Sequence, residues 1–137
     1  LYVSAKLSKI HLKSPVAFAR CIFESLALTY KHYLSILEDV SGKDFTALHI
    51  IGGGSKNQLL NQMTADATGK LVLAGPVEAT ALGNLAVQFI AQGVFKDLVE
   101  ARAVIGNSID MMQYEPRQPE RWDQAYHGWQ ETWKEID

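Results

Sequence analysis

Ala47-Leu48-His49-Ile50-Ile51-Gly52-Gly53-Gly54-Ser55-Lys56-Asn57-Gln58-Leu59-Leu60 is an apolar run that breaks into three glycines and then into a helical pattern. Residues 47–51 are short, apolar and rich in β-branched side chains, and read as a buried strand. From 56 to 68, Leu59, Leu60, Met63 and Ala67 recur at helical spacing, and Gly69 supplies the stop. Leu71-Val72-Leu73-Ala74 repeats the strand signal and ends at Gly75-Pro76. A strand, a glycine loop, a helix and a second strand define an α/β unit with a parallel sheet.

Working outward, Ser14-Pro15 is a helix start: serine accepts from orphan N–H groups and proline fits the first turn. Val16, Ala19, Phe23, Leu26, Tyr30, Tyr33 and Leu37 then recur at three or four residues and form one apolar stripe on a long helix, about 15–39. After residue 76, a helix is expected over 78–92 and a short one over 97–105. Residues 106–118 read as extended and loop-like. Pro119 opens a last helix, on which Trp122, Tyr126, Trp129 and Trp133 share a face expected to dock on the core.

Only two strands are evident. A two-stranded sheet is marginal alone, and parallel sheets are covered on both faces. The pattern therefore predicts that part of the sheet lies outside this chain or comes from a partner.

The chain has 137 residues, is 47% hydrophobic and 20% charged, and carries a formal net charge of −2. That composition excludes global disorder. Its charge argues against a nucleic-acid-binding domain, which carries a basic stripe. No apolar run reaches the roughly 18–20 residues that span a bilayer. The single cysteine, Cys21, excludes an internal disulfide and a cysteine-rich zinc site, and fits a reducing cytoplasm. The sequence begins at Leu1 without a secretory-signal pattern, and the absent Met is read as a sign of trimming.

The glycine loop carries the chemistry. Glycines let backbone N–H groups approach an anion without Cβ interference. The helix that follows points its own orphan N–H groups and positive dipole end the same way. Open α/β sheets bind ligands at such junctions. Ser55 and Asn57 add side-chain groups suited to a phosphate, ribose or base. The alternative is a tight strand–helix turn with Ser55 as an ordinary N-cap. A Walker A loop is excluded, because no Gly-x-x-x-x-Gly-Lys-[Ser/Thr] string occurs. A dinucleotide fingerprint fails as well, since Asn57 stands where its third glycine belongs.

In the segment Gly75-Pro76-Val77-Glu78-Ala79-Thr80-Ala81-Leu82-Gly83-Asn84, Glu78 is expected in the first helical turn. Gly83 costs about 1 kcal/mol relative to alanine inside a helix, which points to tight packing or a nearby ligand. His11, His32, His49 and His127 show no metal spacing, and His49 reads as a core or edge histidine. Arg20 and Glu24 are spaced to pair on a solvated helix face. Asp66 lies on an alanine-rich helix with no role assigned.

Residues 52–62, followed by Ala65-Asp66-Ala67, resemble the adenosine-binding segment of the FGGY carbohydrate kinases. Residues 75–84 resemble that family's next element, and residues 20–28 its preceding long helix. The resemblance covers residues 14–135, with 1–13 a divergent lead-in. It implies a partial C-terminal nucleotide-binding lobe. The expected fold is a helix-rich part of an actin-like ATPase (ribonuclease H-like) lobe, with a short, incomplete parallel sheet of about two strands.

The implied activity is transfer of a phosphoryl group from Mg-ATP to a ketose. In this resemblance the backbone of Gly53 approaches the ATP phosphates and Gly54 lines the adenine or phosphate side. Asn57 contacts the nucleotide, Gly52 and Ser55 shape the loop, and Glu78 and Gly83 are structural. The family's general-base aspartate and sugar site precede everything matched here. No residue is therefore assigned as catalytic or as a magnesium ligand, and the chain alone is expected to be inactive. The sugar is expected to bind only with an N-terminal lobe, and neither nucleic acid nor membrane is an expected partner. The alternatives are a non-catalytic module that self-associates through uncovered sheet or helix surface, and a related kinase for another sugar such as xylulose or fuculose.

Overall fold

A computed structural model of the chain describes residues 14–134, with side chains through residue 131. Helix α1 (Pro15–Ser41) begins where Ser14 Oγ accepts the Ala17 N–H at 3.1 Å. It ends at Gly42, whose left-handed φ of 63° lets its N–H reach the Glu38 carbonyl. Strand β1 (Ala47–Ile50) leads into a 3-10 turn (Gly52–Lys56) and helix α2 (Gln58–Thr68). Then come β2 (Leu71–Ala74), α3 (Ala79–Ala91), α4 (Leu98–Ser108), β3 (Met112–Tyr114) and α5 (Pro119–Lys134). Among the described residues, no helix is long and apolar enough to cross a membrane.

β1 and β2 are parallel, as the strand–helix alternation predicts, with Ala47 opposite Leu71 and Ile50 opposite Ala74. The sheet has a third strand, in the order β1-β2-β3, and β3 runs antiparallel to β2. The sheet is therefore mixed, and the loop expected over 106–118 contains a strand. Its three residues are too few to show a period: Met112 and Gln113 are exposed, and only Tyr114 turns inward.

Ala65, Val72, Ala74 and Tyr114 form the core between α2 and the sheet, with Leu48 and Ile50 packed against it. Ala27, Met63 and Ala67 join α1 to α2. Leu28, Tyr126 and Trp129 seat α5 on α1, and Trp122 bridges those two groups. The aromatic face of α5 docks as expected through Tyr126 and Trp129; the Trp133 side chain lies outside the described residues.

Helix α1 buries a shorter set of residues than its apolar stripe contains. Its buried positions are Ala27, Leu28 and Leu34. The apolar stripe read from the sequence is largely uncovered: Val16, Leu26 and Tyr30 are exposed, with Tyr33 at 55% and Leu37 at 57%.

Candidate functional site

Because β1 and β2 are parallel, their carboxyl ends lie at the same edge of the sheet. Two backbone hydrogen bonds stitch the segments leaving them. The Gly75 N–H donates to the Ile50 carbonyl, and the Gly52 N–H donates to the Pro76 carbonyl, both at 2.9 Å. Gly52 has φ 73°, a left-handed conformation that costs other residues roughly 1–2 kcal/mol.

The chain then coils through the 3-10 turn. Ser55 is buried, and its hydroxyl donates back to the Gly52 carbonyl at 2.7 Å. Its own carbonyl accepts from Nδ2 of the fully buried Asn61 at 2.9 Å. The Ser55 side chain thus shapes the turn from inside and does not cap the helix. Asn57 is the cap: its Oδ1 accepts the Leu60 N–H at 3.1 Å, and α2 starts at Gln58 rather than Lys56. Asn61 Oδ1 is buried without a hydrogen-bond partner among the described residues, and nothing in the structure explains it.

Gly53 and Gly54 form the outer face of the turn, and both are exposed. A Cβ on Gly53 would meet nothing within 4 Å, and one on Gly54 would meet only Ile50 Cγ2 at 3.7 Å. Neither glycine is required by packing, so the bare backbone is open to an approaching group. Beside the turn lies a cleft of about 350 Å³. Lys56 and Gln58 line one side, Gly75 and Pro76 the floor, and Asp110 and Met112 the opposite side.

The structure thus places Gly52, Gly53, Gly54 and Ser55 in one turn with Asn57 as the cap that follows; of these five, Ser55 alone lines the cleft. It adds Lys56, Gln58 and Asp110, which the sequence did not single out. Lys56 had a visible signal, as the one cation inside the glycine string; Asp110 had none, because β3 brings it across. The fit to a nucleotide is physical: open backbone, the first N–H groups of a helix and a basic side chain adjoin a concave surface. The described residues contain no group of three His, Cys, Asp or Glu side chains placed to hold a metal ion.

Glu78 sits at the N-cap of α3 without a side-chain capping bond. Gly83 on α3 is exposed, and a Cβ there would meet nothing within 4 Å. The tight packing its sequence suggests is not made among the described residues.

The description "FGGY family of carbohydrate kinases, C-terminal domain" matches residues 7–92, and the chain belongs to that family. Its fold is that family's ribonuclease H-like, actin-like ATPase type. Among its relatives, the rhamnulokinase of Oceanobacillus iheyensis is 47% identical over 102 residues, 74% of this chain and 22% of the relative. That of Bacteroides thetaiotaomicron is 49% identical over 107 residues, covering 78% and 22%. That of Bacillus subtilis is 47% identical over 103 residues, covering 75% and 21%. The chain spans about a fifth of the length of these curated relatives.

Proposed function

We propose that this chain is the nucleotide-binding part of an ATP-dependent kinase that converts L-rhamnulose to L-rhamnulose 1-phosphate. The sugar follows from the rhamnulokinase relatives. The observation that carries the nucleotide reading is the glycine turn at the carboxyl ends of β1 and β2, with open room at Gly53 and only the Ile50 side chain near Gly54. In this reading the ATP phosphates lie against the Gly53 backbone, and Gly54 lines the phosphate or adenine side. Asn57 contacts the nucleotide, while Gly52 and Ser55 hold the turn. ATP brings Mg²⁺ with it, and no residue of this chain is assigned to the metal.

Phosphoryl transfer to a hydroxyl depends on positioning and charge stabilisation, with an aspartate accepting the hydroxyl proton. That aspartate belongs to sequence outside this chain. Alone, the chain is a half-site expected to release no ADP above background in the presence of L-rhamnulose. Measured turnover would overturn that expectation.

The test of the site is a pair of glycine substitutions. Gly53→Ala is expected to change stability by no more than about 0.5 kcal/mol, since nothing meets the new Cβ. It is expected to weaken ADP binding at least tenfold by filling the space the phosphates need. Gly52→Ala is expected to destabilise the fold by roughly 1–2 kcal/mol through its positive φ. ADP affinity unchanged in Gly53→Ala rejects the proposed site.

A further inference from the structure

Gln62 and Asp66 lie one turn apart on α2 and reach across to the chain just beyond β3. Asp66 Oδ1 accepts the Arg117 N–H at 2.8 Å and Gln62 Nε2 at 2.9 Å. The same Gln62 nitrogen donates to the Glu115 carbonyl at 2.8 Å. Two side chains on one helix thus hold a backbone donor and a backbone acceptor two residues apart.

What they hold bears on the cleft. β3 is an edge strand of three residues, and only Tyr114 is buried. Besides its ladder to β2 and the Tyr114 ring, the strand is fastened by the Gln62–Asp66 pair. The residues that enter β3, Ile109, Asp110 and Met112, line one side of the cleft, while Gln58, one turn before Gln62 on α2, lines the other. One helix therefore supplies part of one wall and the anchor of the wall opposite. Neither Gln62 nor Asp66 lines the cleft itself.

We propose that Gln62 and Asp66 are positioning residues: they fix β3, and through it the 109–112 wall, at a set distance from the glycine turn. This rests on the nucleotide reading of the glycine turn given above, with the adjoining cleft taking the rest of the nucleotide. Gln62 must donate and Asp66 must accept, so the pair tolerates an amide at 66 but not loss of either polar group. A hydrogen bond to an ionised carboxylate is also stronger than a neutral one, which suits Asp66 to restraining a short edge strand.

The experiment compares the wild-type chain with Asp66→Ala, Asp66→Asn and Gln62→Met by amide hydrogen exchange and by ADP titration. Asp66→Ala and Gln62→Met are expected to speed exchange at residues 112–117 roughly tenfold, the effect of losing one such bond. Exchange in β1 should stay unchanged, which separates a loosened wall from general unfolding. ADP affinity should fall several-fold in the same two variants, and Asp66→Asn should restore both readouts most of the way. Unchanged exchange at 112–117 in both disruptive variants overturns the proposal. So does faster exchange with unaltered ADP affinity, or an Asp66→Asn chain as perturbed as Asp66→Ala. If one variant does not fold, the other decides. If the wild-type chain binds no ADP, the nucleotide reading fails for this chain. The exchange pattern then still shows whether the pair restrains the wall, since the 109–112 amides either loosen with β3 or do not.

Discussion

Asn57 is assigned two tasks, one structural and one proposed, and a conservative substitution separates them. Its Oδ1 caps α2 through the Leu60 N–H. Asn57→Ala removes that acceptor and is expected to cost about 1 kcal/mol in urea unfolding. Asn57→Asp keeps a capping oxygen, so its stability should stay within about 0.5 kcal/mol of wild type. It places a negative charge beside the proposed phosphate site, and ADP affinity should fall. Equal ADP affinity in the two chains would leave Asn57 with the cap alone. Glu38 offers a second residue-scale expectation. Its carboxylate accepts from Lys70 Nζ at 2.8 Å and from the Phe45 N–H at 3.0 Å, joining the end of α1 to the approaches of both parallel strands. The Lys70 hydrogen bond first, then the Phe45 N–H, and the Lys70 charge hold its pKa below the ordinary 4.5, against a smaller opposing effect of burial. Between that lowered value and 4.5 the unfolded chain binds more protons than the folded one. The stabilisation is therefore complete above 4.5 and is lost as pH falls through the lowered value. Glu38→Gln should melt lower than wild type at neutral pH, and the gap should close in acid. A gap of equal size at both ends of a pH series of melting temperatures would show that the pair does not contribute.

Among the elements, those with a strong period or a break are legible in the sequence alone. The 47–51 run, the glycines and the 71–74 run gave β1, the turn and β2, because short apolar runs bounded by glycine have few other uses. The aromatic face of α5 pointed to its docking. β3 was not legible: three residues with two exposed carry no alternation, and the strand exists through its ladder to β2 and the Gln62–Asp66 tie. The Asn57 cap was hidden for a related reason, since Ser55 is an equally good cap by composition and only the 3-10 turn draws its hydroxyl inward. At the site, the glycines could be read from the string, whereas the Asp110 side of the cleft required the fold. Docking of α5 has a measurable strength. Trp129 is 4% exposed and stacks on Tyr126 with ring centroids 5.8 Å apart, and Tyr126 Oη lies 3.0 Å from His32 Nδ1. Trp129→Ala is expected to cost about 3–5 kcal/mol by emptying this contact. Such a loss would show as a shift in the urea midpoint together with release of α5 to proteolysis. A loss below about 1 kcal/mol would mean that α5 is held elsewhere, since even modest core truncations cost more.

At the scale of the molecule, the orientation of α1 leaves much of its apolar surface outside the core. The most regular stripe on the helix is the one left uncovered, while the shorter set Ala27, Leu28 and Leu34 is buried. Leu37 and Tyr33 stand over a groove of about 310 Å³ that continues onto Leu48 and Ile50. Among the described residues β1 pairs on one side alone, with β2, so its other edge has no partner strand there. An apolar helix face next to an open strand edge is a template for a further strand. The relatives, about five times as long as the matched stretch, have ample chain to supply one. For the 137-residue chain by itself, the same surface is expected to drive association with other copies. Weight-average mass from light scattering should therefore rise with concentration. Tyr33→Lys with Leu37→Lys should hold the chain at monomer mass without lowering its unfolding midpoint, because both side chains are already more than half exposed. A wild-type chain that stays monomeric across the concentration series would show that the stripe tolerates water. A double variant that still associates would place the contact elsewhere, with the exposed apolar residues of α3 and α4, such as Val87 and Val99, the next surface to test.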